Sequence, residues 1–392
     1  MVLSAGEAAA ELGVSRATLY AYVSRGMIAS EATVGRRERL YRADDVRALR
    51  ARRDKGKSAD EAAEGALHLG LPVLESAITL IAEGKLFYRG RDVADLAVEA
   101  SLEAVATLLW ACKDDPFVEA VPLLPKLLGP TPIARAMHAL AQASASDASA
   151  HDLSPGGIAR TGARILRLLC AALTDAPTSR LPIHEQLGRA FGRPKLGVLG
   201  LVRTLLVLLA DHELDASTFA VRVAASTGAN PYLAVLAGLA TLQGPRHGGG
   251  VERVLAFVDE AKTLRLPGEA VERRLKRAER IPGFAHPLYP DGDPRATLLL
   301  GRLEAVAGDE AEMARVRGIL GAARDIAGLR PNVDFAVGAA VRVLGWPDDA
   351  GLALFAVARA SGWIAHVIEQ TADRRLIRPR ARYVGPRPDA FG

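Results

Sequence analysis

From Leu69 to its end the chain is a succession of amphipathic segments rich in Ala and Leu, broken by Gly and Pro. Ala and Leu are among the best helix formers, and Gly and Pro the worst, so this string specifies helices joined by short breaks. Aromatic residues make up 5% of the chain against 49% apolar residues in all, a balance that favours helices over sheets. The expected fold class is therefore all-α. A length of 392 residues predicts two or three domains with a sizeable core, and no internal repeat is evident. The most apolar stretch, residues 198–210, contains Arg203 and is too short to span a bilayer, so it reads as a buried core helix. Only two cysteines occur, Cys112 and Cys170, neither with a CxxC partner, and no charged-then-apolar leader opens the chain. A cytoplasmic protein with no membrane partner and no metal is expected.

The first 57 residues differ in charge from the rest. They hold 12 Lys/Arg and 7 Asp/Glu, whereas the remaining 335 hold 38 of each sign, so the whole excess of +5 lies at the N-terminus. Ser4-Ala-Gly-Glu7 has the spacing of a capping box ahead of a helix to Leu12. Gly13 turns the chain, and Ser15 caps a second helix in which Val14, Leu19 and Val23 share a face. Gly35 to Arg42 reads as a basic hairpin, and Asp44-Asp45 opens a third helix. The order is that of a winged helix-turn-helix. Glu7-Ala8-Ala9, Leu12-Gly-Val-Ser15, Thr18-Leu-Tyr20 and Leu40-Tyr-Arg42 resemble the DNA-binding module of the MerR and excisionase-like family. The resemblance implies that the second helix enters the major groove and the wing grips phosphates, with double-stranded DNA as partner. The candidate contacts are Arg16, Tyr20 and Arg25 on the helix and Arg36, Arg37, Arg39 and Arg42 on the wing. The bland alternative is a docking domain with a solvated basic face. The domain plan is 1–57 for this module, 58–68 for a linker and 69–392 for the body.

Only eight histidines occur, and three sit beside Gly, Pro or acidic residues near expected helix ends. They are His212 in His212-Glu-Leu-Asp-Ala-Ser-Thr218, His247 in Gly244-Pro-Arg-His-Gly-Gly249, and His286 in Gly283-Phe-Ala-His-Pro-Leu-Tyr289. Asp334, in Pro331-Asn-Val-Asp-Phe335, falls at the start of an Ala/Val helix, whose N-terminus would hold its carboxylate ionised. Histidine and aspartate together can run acid–base chemistry on carbon without a metal or a thiol. His366 and Glu369 lie one helical turn apart with no third ligand nearby, which reads as helix packing. No GxGxxG, Walker or Gly-x-Ser-x-Gly pattern is present.

These motifs, in this order, resemble the citrate synthase family. The likeness covers roughly residues 69–390 and includes Phe87-Tyr-Arg-Gly-Arg-Asp-Val93, Asp293-Pro-Arg-Ala296, Gly362-Trp-Ile-Ala-His-Val-Ile-Glu-Gln370 and Ile377-Arg-Pro-Arg380. It implies a helical body with a large and a small domain, the small one at roughly 248–340. It further implies that Asp334 takes a proton from the methyl group of acetyl-CoA, His247 stabilises the enol, and His286 polarises the keto group of oxaloacetate. Arg295, Arg359 and Arg378 would clamp carboxylates with His212, and Arg378 would reach the neighbouring site of a homodimer. Acetyl-CoA or another short acyl-CoA would be a substrate, with no cofactor.

Four positions depart from the family pattern. Asp215 stands where Asn is commoner, Gly250-Val251 where Ala-Asn is usual, Pro287-Leu288 in place of a frequent Arg-Val, and Ala336-Val337 in place of Tyr-Ser. Two functions are expected, an enzyme of this family and, as alternative, a DNA-binding regulator whose body senses a tricarboxylate or CoA ester.

Overall fold

The computed structural model describes the chain except residues 1, 13, 15–18, 20, 21, 24–27, 33–38, 48, 50–73, 119–126, 193–195, 308, 382 and 386–392. It divides into two compact units, Met1–Glu75 and Ser76–Gly392.

In the first unit the capping box forms in both directions. Ser4 N donates to Glu7 Oε2 (2.8 Å) and Glu7 N donates to Ser4 Oγ (3.3 Å), starting the helix Ala5–Leu12. Ala8, Ala9 and Leu12 on that helix pack with Leu19, Ile28, Tyr41 and Val46 into a small core. The strand Arg39–Arg42 lies between Val2–Leu3 and Ser30–Ala32, antiparallel to both. The hairpin expected within residues 35–42 therefore starts earlier, at Ser30, and a third strand from the extreme N-terminus completes it. Tyr41 is buried, while Arg39 and Arg42 are exposed. Arg16, Tyr20, Arg25, Arg36 and Arg37, expected as DNA contacts, lie outside the described residues.

In the second unit the 24-residue helix Ala350–Asp373 runs through the core. It packs on Pro155–Thr174, Ala216–Ser226, Pro231–Leu242, Leu196–Leu209 and Leu102–Leu109. It is long and apolar enough to cross a membrane, yet 94% of its apolar window is buried inside the protein. Close approach depends on Gly362, where a Cβ would lie 2.4 Å from Ala210 O and 2.3 Å from Asp211 Oδ1. A second group of helices, Gly250–Lys262, Glu269–Lys276, Glu310–Ala327 and Val333–Val343, packs together, and Pro294–Val306 joins it to Leu196–Leu209.

The succession of helices expected after Leu69 is preceded by a small antiparallel sheet, Thr79–Ala82, Lys85–Tyr88 and Arg91–Asp92. Its Tyr88 hydroxyl accepts from Asp211 N (3.1 Å), and Thr79 Oγ1 donates to Asp211 Oδ2 (2.5 Å). The sheet thereby braces the segment that carries His212. Residues 144–155 end the helix Pro132–Ser146 and form a short 3-10 turn at Ala148–His151.

Candidate active site

His212 follows the helix Leu196–Leu209 at a sharp bend in which Glu213 takes a positive φ of 55°. The His212 Nε2 lies 3.0 Å from the Tyr289 hydroxyl. The ring meets His286 edge-on, with centroids 5.4 Å apart. His286 itself sits in a loop, where its Nδ1 accepts from Leu288 N (3.1 Å).

That loop is tied to the residues before Asp334. Ala285 N donates to Arg330 O (2.9 Å), Asn332 N to Gly283 O (2.8 Å), and Asn332 Nδ2 to Ala285 O (3.0 Å). The same Asn332 caps the helix Val333–Val343, its Oδ1 accepting from Asp334 N (3.0 Å). One short bridge therefore fixes His286 and Asp334 relative to each other.

Asp293, the cap of the helix Pro294–Val306, ties in a third residue. Its carboxylate takes a two-pronged contact from buried Arg295, Nε to Oδ1 at 2.9 Å and Nη2 to Oδ2 at 2.8 Å. Asp293 Oδ2 also accepts from Val333 N (2.9 Å), next to Asp334. The Arg295 guanidinium stacks over Tyr289 at 5.3 Å.

His247 closes the ring of contacts. Its Nε2 lies 2.8 Å from Ser217 Oγ, which donates to Asp215 Oδ1 (2.8 Å). Asp215 caps the helix Ala216–Ser226 and pairs through Oδ2 with Nη1 of buried Arg359, whose Nε donates to Leu209 O (3.0 Å). Beyond the His247 turn the helix Gly250–Lys262 begins, and its first residue lies against Asp334. A Cβ on Gly250 would fall 2.3 Å from Asp334 Oδ2.

Burial decides the acidities. It holds His247 and His286 below the usual 6.5 and His212 well below, where Arg295, Arg359, His286 and His247 add repulsion. Burial pushes the Asp334 carboxyl up to about 6 against the pull of Arg295, with Asp293 adding to the rise. Desolvation here outweighs the helix dipole, so the carboxyl is less acidic than its helix N-terminal position alone implies. Near neutral pH Asp334 is still mostly ionised and is a stronger base than an exposed aspartate.

The structure brings together His212, His247, His286, Asp334, Arg295 and Arg359. Arg378 lies exposed after the long helix, beside Ile377, whose N donates to Ser226 Oγ (3.1 Å). No contact among the described residues joins it to the cluster. Sequence reasoning gave no role to Tyr289, Ser217 or Asp293. The signal for Asp293 was its place directly before Pro294, a helix cap position, but the site role of a capping residue shows only in three dimensions. His366 is structural, its Nε2 being 3.3 Å from buried Asp211 Oδ1, and Glu369 pairs with Arg222 at 2.7 Å. No group of three metal-ligating side chains occurs among the described residues.

The family model described as citrate synthase, C-terminal domain, matches residues 115–380, and a helix-turn-helix domain model matches residues 2–54. Citrate synthase 2 of Bacillus subtilis is 30% identical over 360 residues, 82% of this chain and 96% of that protein. The chain belongs to the citrate synthase family. A 2-methylcitrate synthase of Shewanella oneidensis is 29% identical, covering 77% of this chain and 89% of that protein. Among solved structures, the citrate synthase of Thermoplasma acidophilum in ternary complex with carboxymethyl coenzyme A and oxaloacetate matches with a TM-score of 0.66 and 27% identity. That match covers 82% of this chain and 97% of that one. The chain is a citrate synthase-type acyltransferase, mostly helical, with a helix-turn-helix module at its N-terminus. Acetyl-CoA is a substrate of the family, not a resident cofactor.

Proposed function

We propose that this enzyme condenses acetyl-CoA, or another short acyl-CoA, with oxaloacetate to give citrate or a homologue and free CoA. The observation that carries this is the placing of one raised-pKa carboxylate, Asp334, among buried His212, half-buried His247 and His286, and two buried arginines. In this reading Asp334 removes the methyl proton, His247 stabilises the enol and His286 polarises the keto oxygen. His212, Arg295 and Arg359 hold the acceptor's carboxylates, and Arg378 of one protomer of a cytoplasmic homodimer completes the site of its partner. An α-proton of a thioester is weakly acidic, so positioned donors facing the developing oxyanion supply the largest part of the rate. Release of thiol from acetyl-CoA or propionyl-CoA with oxaloacetate is expected. A folded dimer that releases none with either would overturn the reading.

A second reading, favoured by the helix-turn-helix match and by exposed Arg39 and Arg42, adds a regulatory role. The N-terminal module binds double-stranded DNA, and the body senses a tricarboxylate or CoA ester. Binding to the chain's own promoter region should weaken steeply with salt. Failure to shift that fragment at low salt would remove it.

A further inference from the structure

Both buried arginines expected to clamp substrate are already matched by a carboxylate of the same chain. Arg295 is held by both oxygens of Asp293, and Arg359 is paired with Asp215. The two cases differ in kind. Asp293 also binds Val333 N (2.9 Å) and so builds the Asp334 helix start. Asp215 needs no charge for its structural work, because capping Thr218 N (2.9 Å) and accepting from Ser217 Oγ (2.8 Å) are within reach of a neutral oxygen. Its negative charge is therefore not needed for capping; it neutralises Arg359 and acts on the site. Arg359 keeps further N–H donors for a ligand, but its net charge is cancelled within a buried cluster where charge is poorly screened. A ligand carboxylate arriving at Arg359 meets the guanidinium and a like charge beside it.

We infer that Asp215 is a specificity-determining residue that disfavours a second carboxylate on the acceptor and opens the site to monocarboxylic 2-oxo acids. This rests on the proposed condensation for the role of Arg359, and it deepens that reading by naming the acceptor's charge class. Repulsion against one of two ligands discriminates as effectively as attraction for the other. The cost falls on the dianion alone, so the readout is a ratio between acceptors and not an absolute rate.

The test uses the full-length protein with Asp215→Asn and Asp215→Ser, both good helix caps. CoA release is followed with acetyl-CoA and either oxaloacetate or 2-oxobutanoate, and binding of each acid is measured by calorimetry. The ratio of kcat/KM for oxaloacetate over 2-oxobutanoate should rise about tenfold or more in both variants, with a parallel rise in the ratio of affinities. A Ser217→Ala control should change both acceptors by the same factor. A ratio unchanged within about twofold, or oxaloacetate binding no tighter in either variant, overturns the inference. Turnover of oxaloacetate with an unchanged ratio leaves the condensation standing. Altered binding without any CoA release counts against the condensation and for the charge role.

Discussion

Replacing Asp334 by Asn should make the protein more stable and nearly inactive. The carboxyl rises from its ordinary 3.8 to about 6 because it is packed out of water against the Gly250 backbone. At about 1.4 kcal/mol per decade, that rise corresponds to about 3 kcal/mol. A group held above its unfolded pKa binds its proton more tightly in the folded chain. Its stabilisation is therefore complete below pH 3.8 and is lost as pH rises through about 6. At pH 8 the wild type bears the whole loss, and an amide that cannot ionise bears none. Urea unfolding at pH 8 should show Asp334→Asn more stable by about 1–3 kcal/mol, and the gain should vanish near pH 4. Thiol release should fall about a thousandfold, the scale expected when a general base is removed. No gain at pH 8, or a gain that persists at pH 4, would refute the burial argument.

Arg295→Ala leaves Asp293 buried without its partner, and thermal or urea unfolding should show a loss of about 3–5 kcal/mol. Arg295→Lys should recover part of it, since the charge returns without the two-pronged geometry. Gly250→Ala drives a methyl into the Asp334 carboxylate, so kcat should fall about a hundredfold with KM little changed. The acid limb of kcat should also move down from about 6 as the carboxylate is pushed toward water. Replacing Arg39 and Arg42 together by Ala should weaken binding to the promoter fragment and reduce the salt slope by about two, with thiol release unaltered.

Much of this was legible in the sequence because it is written locally. The capping box at Ser4 and Glu7 and the helix start at Asn332 depend on neighbours a few residues away. The histidine and aspartate motifs were visible for a related reason, since glycines and prolines mark the turns that hold them. What stayed hidden depends on contacts across long stretches of chain. The Asp215–Arg359 pair spans 144 residues, so a one-letter change from Asn to Asp could be noticed but not given a partner. The acidity of Asp334 misled for the same reason. Its place at a helix N-terminus is a sequence fact, whereas its desolvation is set by Gly250 and by Arg295 and Asp293 around it. The sheet at Thr79–Ala82 was missed because four-residue strands carry too little periodicity to stand out among long helices.

The proton inventory around His247 shows why Asp215 has leverage on chemistry that it does not touch. A serine hydroxyl has one proton and a carboxylate only accepts, so the 2.8 Å contact commits the Ser217 proton to Asp215. Ser217 Oγ must then accept from His247 Nε2–H, and a neutral His247 presents a bare Nδ1 on its other side. A bare nitrogen cannot donate to an enolate oxygen, whereas the imidazolium can. Burial lowers the imidazole below 6.5 and lifts the Asp334 carboxyl to about 6, while the attraction between their charged forms resists both. Burial thus shifts the two acidities toward one another. Under the proposed condensation, the productive arrangement has Asp334 ionised and His247 protonated, base on one side and donor on the other. In that reading the Ser217–Asp215 contact denies His247 the neutral tautomer that could donate through Nδ1, so donation from Nδ1 requires the protonated ring.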